Sequence, residues 1–226
     1  MLRRVLLGGG LLLAAALFTW LGTWQIERRA WKHALIDQVE FGLRTAPVQA
    51  FGPGNWDHVD RRDAYRRLTV TGEFLHDRET LVRATTELGS GYWVITPLRT
   101  PAFTVLVNRG FVDPAHRDPA TRPAPGGATV IGLLRLSEPG GGFLRSNNPA
   151  DNLWYSRDVP AIAAARGLGQ VAPYFIDSEA RDQAGYPVGG LTVIRFADNH
   201  LVYALTWFGM AVLSLVGFGL VLRRAP

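Results

Sequence analysis

A single histidine beside two aromatic residues is the arrangement in this chain with the clearest chemical potential. His200 is followed three and seven residues later by Tyr203 and Trp207, so a helix would place all three near one face. A neutral imidazole with aromatic neighbours at an apolar surface can ligate haem iron. The same pattern is typical of a helix that packs against another helix, with the histidine at its start. The residues alone leave both interpretations open.

Other metal and catalytic chemistry finds little support in the sequence. The chain has no cysteine and only two methionines, which excludes disulfides, thiolate copper sites and a methionine copper relay. No pair of histidines has the i, i+4 spacing of a metal site on one helix. Nucleophile-elbow, H-E-x-x-H and phosphate-loop motifs are missing from the sequence. We therefore expect a protein that is not an enzyme.

Two long uncharged segments, Val5 to Trp24 and Leu201 to Leu222, are predicted to be transmembrane helices. Each is close to the roughly 20 residues that a helix needs to cross a bilayer. The first segment has an alternative interpretation as a cleaved signal peptide, because the run from Ala14 to Ala16 resembles a cleavage site. The apolar run continues past this site to Leu21, which favours an uncleaved anchor.

Basic residues near the ends of the two segments predict the orientation. Arg3 and Arg4 precede the first segment, and Arg223 and Arg224 follow the second, so both termini are expected in the cytoplasm. Basic residues just beyond Trp24 oppose this, but long domains translocate largely regardless of charge. The net charge of +5 comes from scattered arginines, which favours contact with anionic lipid over nucleic acid. A bacterial inner (plasma) membrane with a periplasmic domain is the simplest location.

Two helices are predicted outside the membrane-spanning segments. No glycine or proline interrupts the chain from Thr23 to Phe41, so the first helix should continue beyond the membrane. Gly42 and Pro47 are the expected stop signals. A short helix is predicted after Asp158 as N-cap, with Gly167 ending it.

The polar middle of the chain is predicted to be an α+β domain with a mainly antiparallel sheet. The expected organisation is a transmembrane helix in residues 1–24, a domain in residues 25–200, and a transmembrane helix with a short tail in residues 201–226. The predicted strands are Leu68–Phe74, Glu79–Thr85, Tyr92–Leu98, Phe103–Phe111, Thr129–Leu136, Ala172–Asp177 and Leu191–Phe196.

A set of short motifs in a fixed order resembles a known family, the surfeit-locus (Surf one) assembly proteins of haem–copper oxidases. The resemblance covers nearly the whole length of the chain. The motifs that carry it are Leu21-Gly22-Thr23-Trp24-Gln25-Ile26-Glu27-Arg28-Arg29, Tyr65-Arg66-Arg67-Leu68, Gly91-Tyr92-Trp93-Val94, Val107-Asn108-Arg109-Gly110-Phe111, Pro173-Tyr174-Phe175-Ile176-Asp177 and Asn199-His200-Leu201.

The resemblance implies an assembly factor for cytochrome c oxidase that carries haem a. The histidine implicated in that family matches His200, which is therefore the expected ligand of the haem iron. Trp24, Tyr203 and Trp207 are the expected pocket walls, and Arg28 a candidate partner for the haem propionates. The expected partners are the oxidase core subunit I, the lipid bilayer and, as a further candidate, haem a synthase. The alternative is a membrane scaffold that holds the core subunit without binding haem.

Overall fold

The structure is a computed structural model that describes residues 2–122, 124–142, 144–180, 185–191 and 199–223, with the side chains of Gln38 and Leu43 left out. The chain divides into two compact units. One consists of Met1–Gln38 with Ile194–Pro226, and the other of Val39–Val193. The domain boundaries expected at residues 24 and 200 stay predictions.

The first unit is a pair of helices, α1 (Leu2–Arg44) up to its residue 38 and α3 (His200–Arg223). Both helices are long and apolar enough to cross a membrane. Along the contact the residues recur at alternating spacings of three and four, which keeps one stripe of each helix on its partner. The stripe comprises Gly8, Leu11, Ala15, Phe18, Gly22 and Gln25 of α1 with His200, Ala204, Trp207, Ala211, Ser214 and Phe218 of α3.

Small residues let the two helix backbones approach closely, as is usual between helices in a membrane. A Cβ atom added to Gly22 would lie 2.5 Å from the ring of Phe208, so only glycine fits there without movement. Farther along, Leu11 lies against Gly217 and the ring of Phe218 against Gly8. Ala204 and Ala211 are buried between these contacts.

The second unit is built on a seven-stranded sheet. Its strands are β1 (Val48–Gln49), β2 (Arg67–Phe74), β3 (Thr80–Thr86), β4 (Gly89–Arg99), β5 (Thr104–Val112), β6 (Gly127–Leu136) and β9 (Val171–Ser178). A separate two-stranded ribbon consists of β7 (Gly141–Gly142) and β8 (Arg145–Ser146), and a short α-helix is α2 (Val159–Ala165). The order of the strands in the sheet is β1-β2-β6-β9-β5-β4-β3. The pairs β1–β2 and β5–β9 are parallel, and the other pairs in the sheet are antiparallel.

A second contact of β2 closes part of this sheet into a barrel. Glu73 pairs with Arg99 and Phe74 with Leu98, so β2 touches β4 as well as β6. The strands β2, β6, β9, β5 and β4 therefore form a ring, and β1 and β3 lie outside it.

Alternate residues of the central strands fill two different cores. Val105, Val107 and Tyr174 belong to the core enclosed by the ring of strands. Leu106 and Phe175 point the opposite way, into a second core. This core also contains Trp154, which precedes α2, and Ile162, which lies within α2. Since both faces of β5 and β9 are buried, these strands read in the sequence as almost continuous apolar runs.

The α+β class and the mainly antiparallel sheet are confirmed, and six predicted strands match observed strands to within a few residues. The seventh, Leu191–Phe196, falls largely outside the described residues. The short helix begins after Asp158, whose side chain accepts a hydrogen bond from the Ala161 N–H. Gly42 is not a stop signal: α1 continues to Arg44, and a Cβ atom on Gly42 would lie 2.1 Å from the carbonyl oxygen of Tyr65.

Candidate functional site

His200, the first residue of α3, is hydrogen-bonded to Gln25 of α1. The Nδ1 atom of His200 lies 2.7 Å from the Oε1 atom of Gln25. An amide oxygen only accepts hydrogen bonds, so Nδ1 carries the proton and the lone pair of the neutral ring is on Nε2. A histidine whose second nitrogen donates to an oxygen is the usual form of a metal-ligating imidazole. The donor chemistry of this pair therefore fits a haem iron.

The aromatic residues predicted around His200 differ in their placement. Trp207 lies on the helix contact and stacks on Phe18, with ring centroids 5.7 Å apart. Tyr203 is 54% exposed and Trp24 is 46% exposed, so both border the contact rather than fill it. The guanidinium of Arg28 lies 4.2 Å from the ring centroid of Trp31 on its own helix. Of the predicted residues, the structure therefore brings His200 and Trp207 onto one stripe.

A cavity of about 220 Å³ in the domain has a buried ionic cluster at its wall. Asp177, which is 4% exposed, accepts hydrogen bonds from Asn108 at 2.8 Å and from Arg135 at 2.7 Å. Arg157 lies 3.4 Å from the same carboxylate and also binds Glu138. The cluster joins β5, β6 and β9 with the segment that precedes α2, so its first effect is to fix these elements together.

Charge pairing outweighs burial at two members of this cluster. Burial disfavours the ionised form of the Glu138 carboxyl, but the hydrogen bonds and charge of Arg157 overcome it and lower the pKa of Glu138. Burial likewise opposes the charge of Arg157, and its bonds to Glu138 and the charge of Asp177 raise its pKa. Both groups are thus held in their ionised forms.

A second buried ionic group lies near one end of β3. Arg122 donates two hydrogen bonds to Glu79, at 3.1 and 2.7 Å, and Arg109 lies 4.0 Å from the same carboxylate. Burial lowers the pKa of Arg109. The described parts of the chain contain no buried side-chain polar atom without a hydrogen-bond partner. Both ionic groups are therefore satisfied internally.

Two backbone positions beside the cavity have unusual geometry. Tyr65 has φ +66°, a left-handed conformation that costs about 1–3 kcal/mol for a residue other than glycine. Its ring lies under the guanidinium of Arg135, at 4.9 Å. Gly110 has φ +133°, and a Cβ atom there would lie 2.4 Å from the carbonyl oxygen of Val188.

Comparison with known proteins decides the family. The chain matches the profile of the SURF1 family over residues 12–212. It is 35% identical to Surfeit locus protein 1 of Homo sapiens over 230 residues, which cover 91% of this chain and 74% of the human protein. The SURF1-like protein of Monosiga brevicollis is 36% identical over 231 residues, covering 92% of this chain and 86% of that protein. The chain belongs to the SURF1 family.

Four of the six motifs that suggested the SURF1 family meet at the domain cavity. Tyr65, Trp93, Asn108, Gly110 and Asp177 come from four separate motifs and all line it. Their roles in the described contacts are structural. Asp177 is the buried carboxylate, Asn108 donates to it, and Tyr65 and Gly110 have unusual backbone geometry. The other two motifs, Leu21–Arg29 and the one that contains His200, lie in the helix pair instead.

Gln25 and the ionic cluster are the functional candidates that the sequence prediction missed. Gln25 continues the alternating spacing of three and four residues that Phe18 and Gly22 follow along the stripe of α1. This spacing is a sequence signal from which Gln25 could have been predicted. Nothing in the spacing indicates that Asp177 meets Asn108, because the two lie 69 residues apart. Within the described ranges, no three histidine, cysteine, aspartate or glutamate residues are placed to hold a metal ion together.

Proposed function

We propose that this SURF1-family chain is a membrane-anchored assembly factor for haem–copper cytochrome c oxidase that carries haem a to the core subunit. The family is known for oxidase assembly, and the His200–Gln25 pair supports haem as the cargo. A carrier needs an exchangeable ligand, and one neutral imidazole supplies it.

The residues of the helix pair suit both the iron and the long isoprenoid chain of haem a. His200 would hold the iron through Nε2, while Gln25 holds the ring in the required tautomer. The apolar surface of α3, with Leu201, Val202 and Leu205 exposed in its first two turns, suits a long isoprenoid chain. In this proposal haem a is the cargo, a coloured and hydrophobic group. The protein binds it, orients it and keeps it from solvent.

The proposed location follows from the two apolar helices and the flanking arginines. Both helices would cross the membrane, with the domain on the side opposite to the termini. The relatives compared above are eukaryotic, so the bacterial inner membrane stays a prediction. The core subunit I, haem a synthase and lipid are the proposed partners.

Absorption spectroscopy on purified protein tests the proposal. The full chain would be purified in detergent from a host that makes haem a, beside His200→Ala and the control His58→Ala. His58 lies exposed in the domain, so its loss removes a histidine without touching the helix pair. We expect a haem a spectrum in the parent and in the control, and none in His200→Ala.

The scaffold alternative makes the opposite prediction. Much of the outer surface of both helices is apolar and exposed, and the helices of a core subunit would cover it as well as lipid does. In that case no variant carries pigment, and oxidase assembly in cells lacking the parent gene is restored equally by the parent and by His200→Ala. That combination would contradict haem binding and support a scaffold.

A further inference from the structure

Three arginines of the domain, Arg83, Arg117 and Arg145, lie near one open cavity and form no ion pair with a carboxylate among the described residues. Arg83 and Arg145 line an open cavity of about 490 Å³, and Arg117 lies over Tyr92 of the same wall. Within the part of the chain that the structure describes, none of the three forms an ion pair, and no acidic residue lines the cavity. Glu87, in the adjoining turn, is not among the lining residues.

This arrangement differs from that of most arginines in the domain. Arg67, Arg99, Arg122 and Arg135, for example, each lie within 2.8 Å of a carboxylate oxygen. Two unpaired guanidinium groups near one ring repel each other unless an anion joins them. The cluster therefore carries positive charge that no ion pair among the described residues offsets.

Each of these guanidinium groups lies near the face of a tyrosine ring. Arg83 and Arg145 lie 5.7 and 5.4 Å from the ring centroid of Tyr155, and Arg117 lies 5.4 Å from that of Tyr92. Thr85 and Ser90 add hydroxyl groups to the wall. Guanidinium groups beside hydroxyl donors are suited to a carboxylate.

The cavity also borders an open sheet edge. β3 is the last strand of the sheet, and its outer side is bridged by Trp154, whose carbonyl accepts from the Arg83 N–H at 2.9 Å. The next residue, Tyr155, donates its N–H to Asn147 and so leaves β3. Backbone groups alternate along an antiparallel strand, so the N–H and C=O of Thr85 face the same open side as those of Arg83.

We propose that this cavity and the β3 edge together bind an extended acidic segment of a partner protein. The backbone of the segment would pair with Thr85, and its carboxylates would meet Arg83 and Arg145. A phosphate headgroup could bind the arginines, but it has no backbone groups to pair with the edge of β3. The geometry therefore favours a peptide. The inference does not depend on haem binding.

Fluorescence anisotropy with a defined probe tests the inference. The full chain in phosphatidylcholine nanodiscs would be titrated with a labelled peptide of alternating aspartate and threonine, and with its asparagine counterpart. We expect binding of the aspartate peptide only, weakened by salt. The double variant Arg83→Gln/Arg145→Gln should weaken binding at least about tenfold, because it removes two positively charged hydrogen-bond donors.

Two controls separate local recognition from net charge. Arg62→Gln/Arg99→Gln removes the same amount of positive charge from arginines that pair with Asp60 and Glu73, and should retain binding. Thr85→Pro removes the backbone N–H that would pair with the peptide, and edge strands tolerate proline. This variant should bind the peptide more weakly, while its thermal melting curve shows that the domain is still folded.

Three outcomes would overturn the inference: no binding of the aspartate peptide, an equal loss in the Arg62/Arg99 control, or undiminished binding by both cavity variants. A parallel arm measures sedimentation with phosphatidylglycerol vesicles. If the Arg83/Arg145 variant loses vesicle binding but keeps peptide binding, the cluster recognises anionic lipid instead.

Discussion

The Nδ1 atom of His200 lies 2.7 Å from the Oε1 atom of Gln25, although the two residues are 175 positions apart in the chain. The bond joins the start of α3 to the polar end of the stripe on α1. It favours the Nδ1–H tautomer of His200, so Gln25 is the expected positioning residue for the proposed haem ligand.

Replacing Gln25 tests this role directly. Gln25→Leu removes the acceptor, and we expect the His200 ring to lose its preference for the Nδ1–H tautomer, as read from its nitrogen NMR shifts. Haem a affinity should fall by about 10–100-fold, the usual effect of losing the partner of a metal ligand. Gln25→Glu keeps an acceptor oxygen and should preserve both the tautomer and the affinity. Unchanged nitrogen shifts in Gln25→Leu would refute the positioning role.

The close contact at Gly22 predicts which helix glycine controls the pairing of α1 with α3. Gly22→Leu would force a side chain into the ring of Phe208 and separate the helices locally. Gly9→Leu is the matched control, because nothing lies within 4 Å of a Cβ atom at Gly9. The chain has no native cysteine. One cysteine introduced at Leu11 and one at Gly217, which lie against each other, therefore report the contact between α1 and α3.

The measurement is the yield of crosslinking between these two cysteines with a short bifunctional reagent, in membranes. We expect the parent and Gly9→Leu to crosslink to the same extent, and Gly22→Leu to crosslink several-fold less. Equal yields in all three proteins would show that the contact at Gly22 is not what holds the helices together.

Local patterns in the sequence were enough to predict the longer strands and helices, but not the two-residue strands β1, β7 and β8 or how the elements meet. β5 and β9 were recognisable because apolar residues run through them, and α2 because Asp158 caps it. The closure of the barrel was out of reach, since it rests on two residue pairs such as Phe74–Leu98 whose sequences carry no pairing signal. The Asp177 cluster was hidden for the same reason: its donors come from distant strands.

Removing the charge of Asp177 should destabilise the domain strongly. Asp177→Asn leaves Arg135 and Arg157 close together in a buried site, and breaking such a cluster costs about 3–5 kcal/mol. We expect the melting temperature of the domain to fall by roughly 10 °C, followed by circular dichroism. Asp77→Asn removes a carboxylate that is 77% exposed and should change the stability by less than about 0.5 kcal/mol. Equal effects would contradict the role of the cluster.

Asp113 provides a pH-dependent test of the loop after β5. Its Oδ1 atom lies 2.8 Å from Nδ1 of His116, and its Oδ2 accepts a hydrogen bond from the Tyr186 hydroxyl at 2.8 Å. The hydrogen bonds from His116 and then Tyr186 lower the pKa of Asp113 to about 2, from an ordinary value of 3.8.

Because the folded pKa lies below the ordinary value, the unfolded chain binds more protons between the two values. The stabilisation by Asp113 is therefore fully present above pH 3.8 and is lost as the pH falls through about 2. We expect Asp113→Asn to lower the melting temperature at neutral pH, with the difference from the parent shrinking as the pH approaches 2. A difference that does not change with pH would contradict the shifted pKa.

A direct titration separates the two donors. Carbon NMR of the Asp113 carboxyl should give a midpoint near 2 in the parent. Tyr186→Phe removes one hydrogen bond while it keeps an aromatic ring where Tyr186 stacks on His116, with centroids 3.9 Å apart. The midpoint in this variant should rise only part of the way towards 3.8, because the His116 bond is the larger cause and remains. A midpoint equal to that of the parent would show that the tyrosine hydroxyl contributes nothing to the shift.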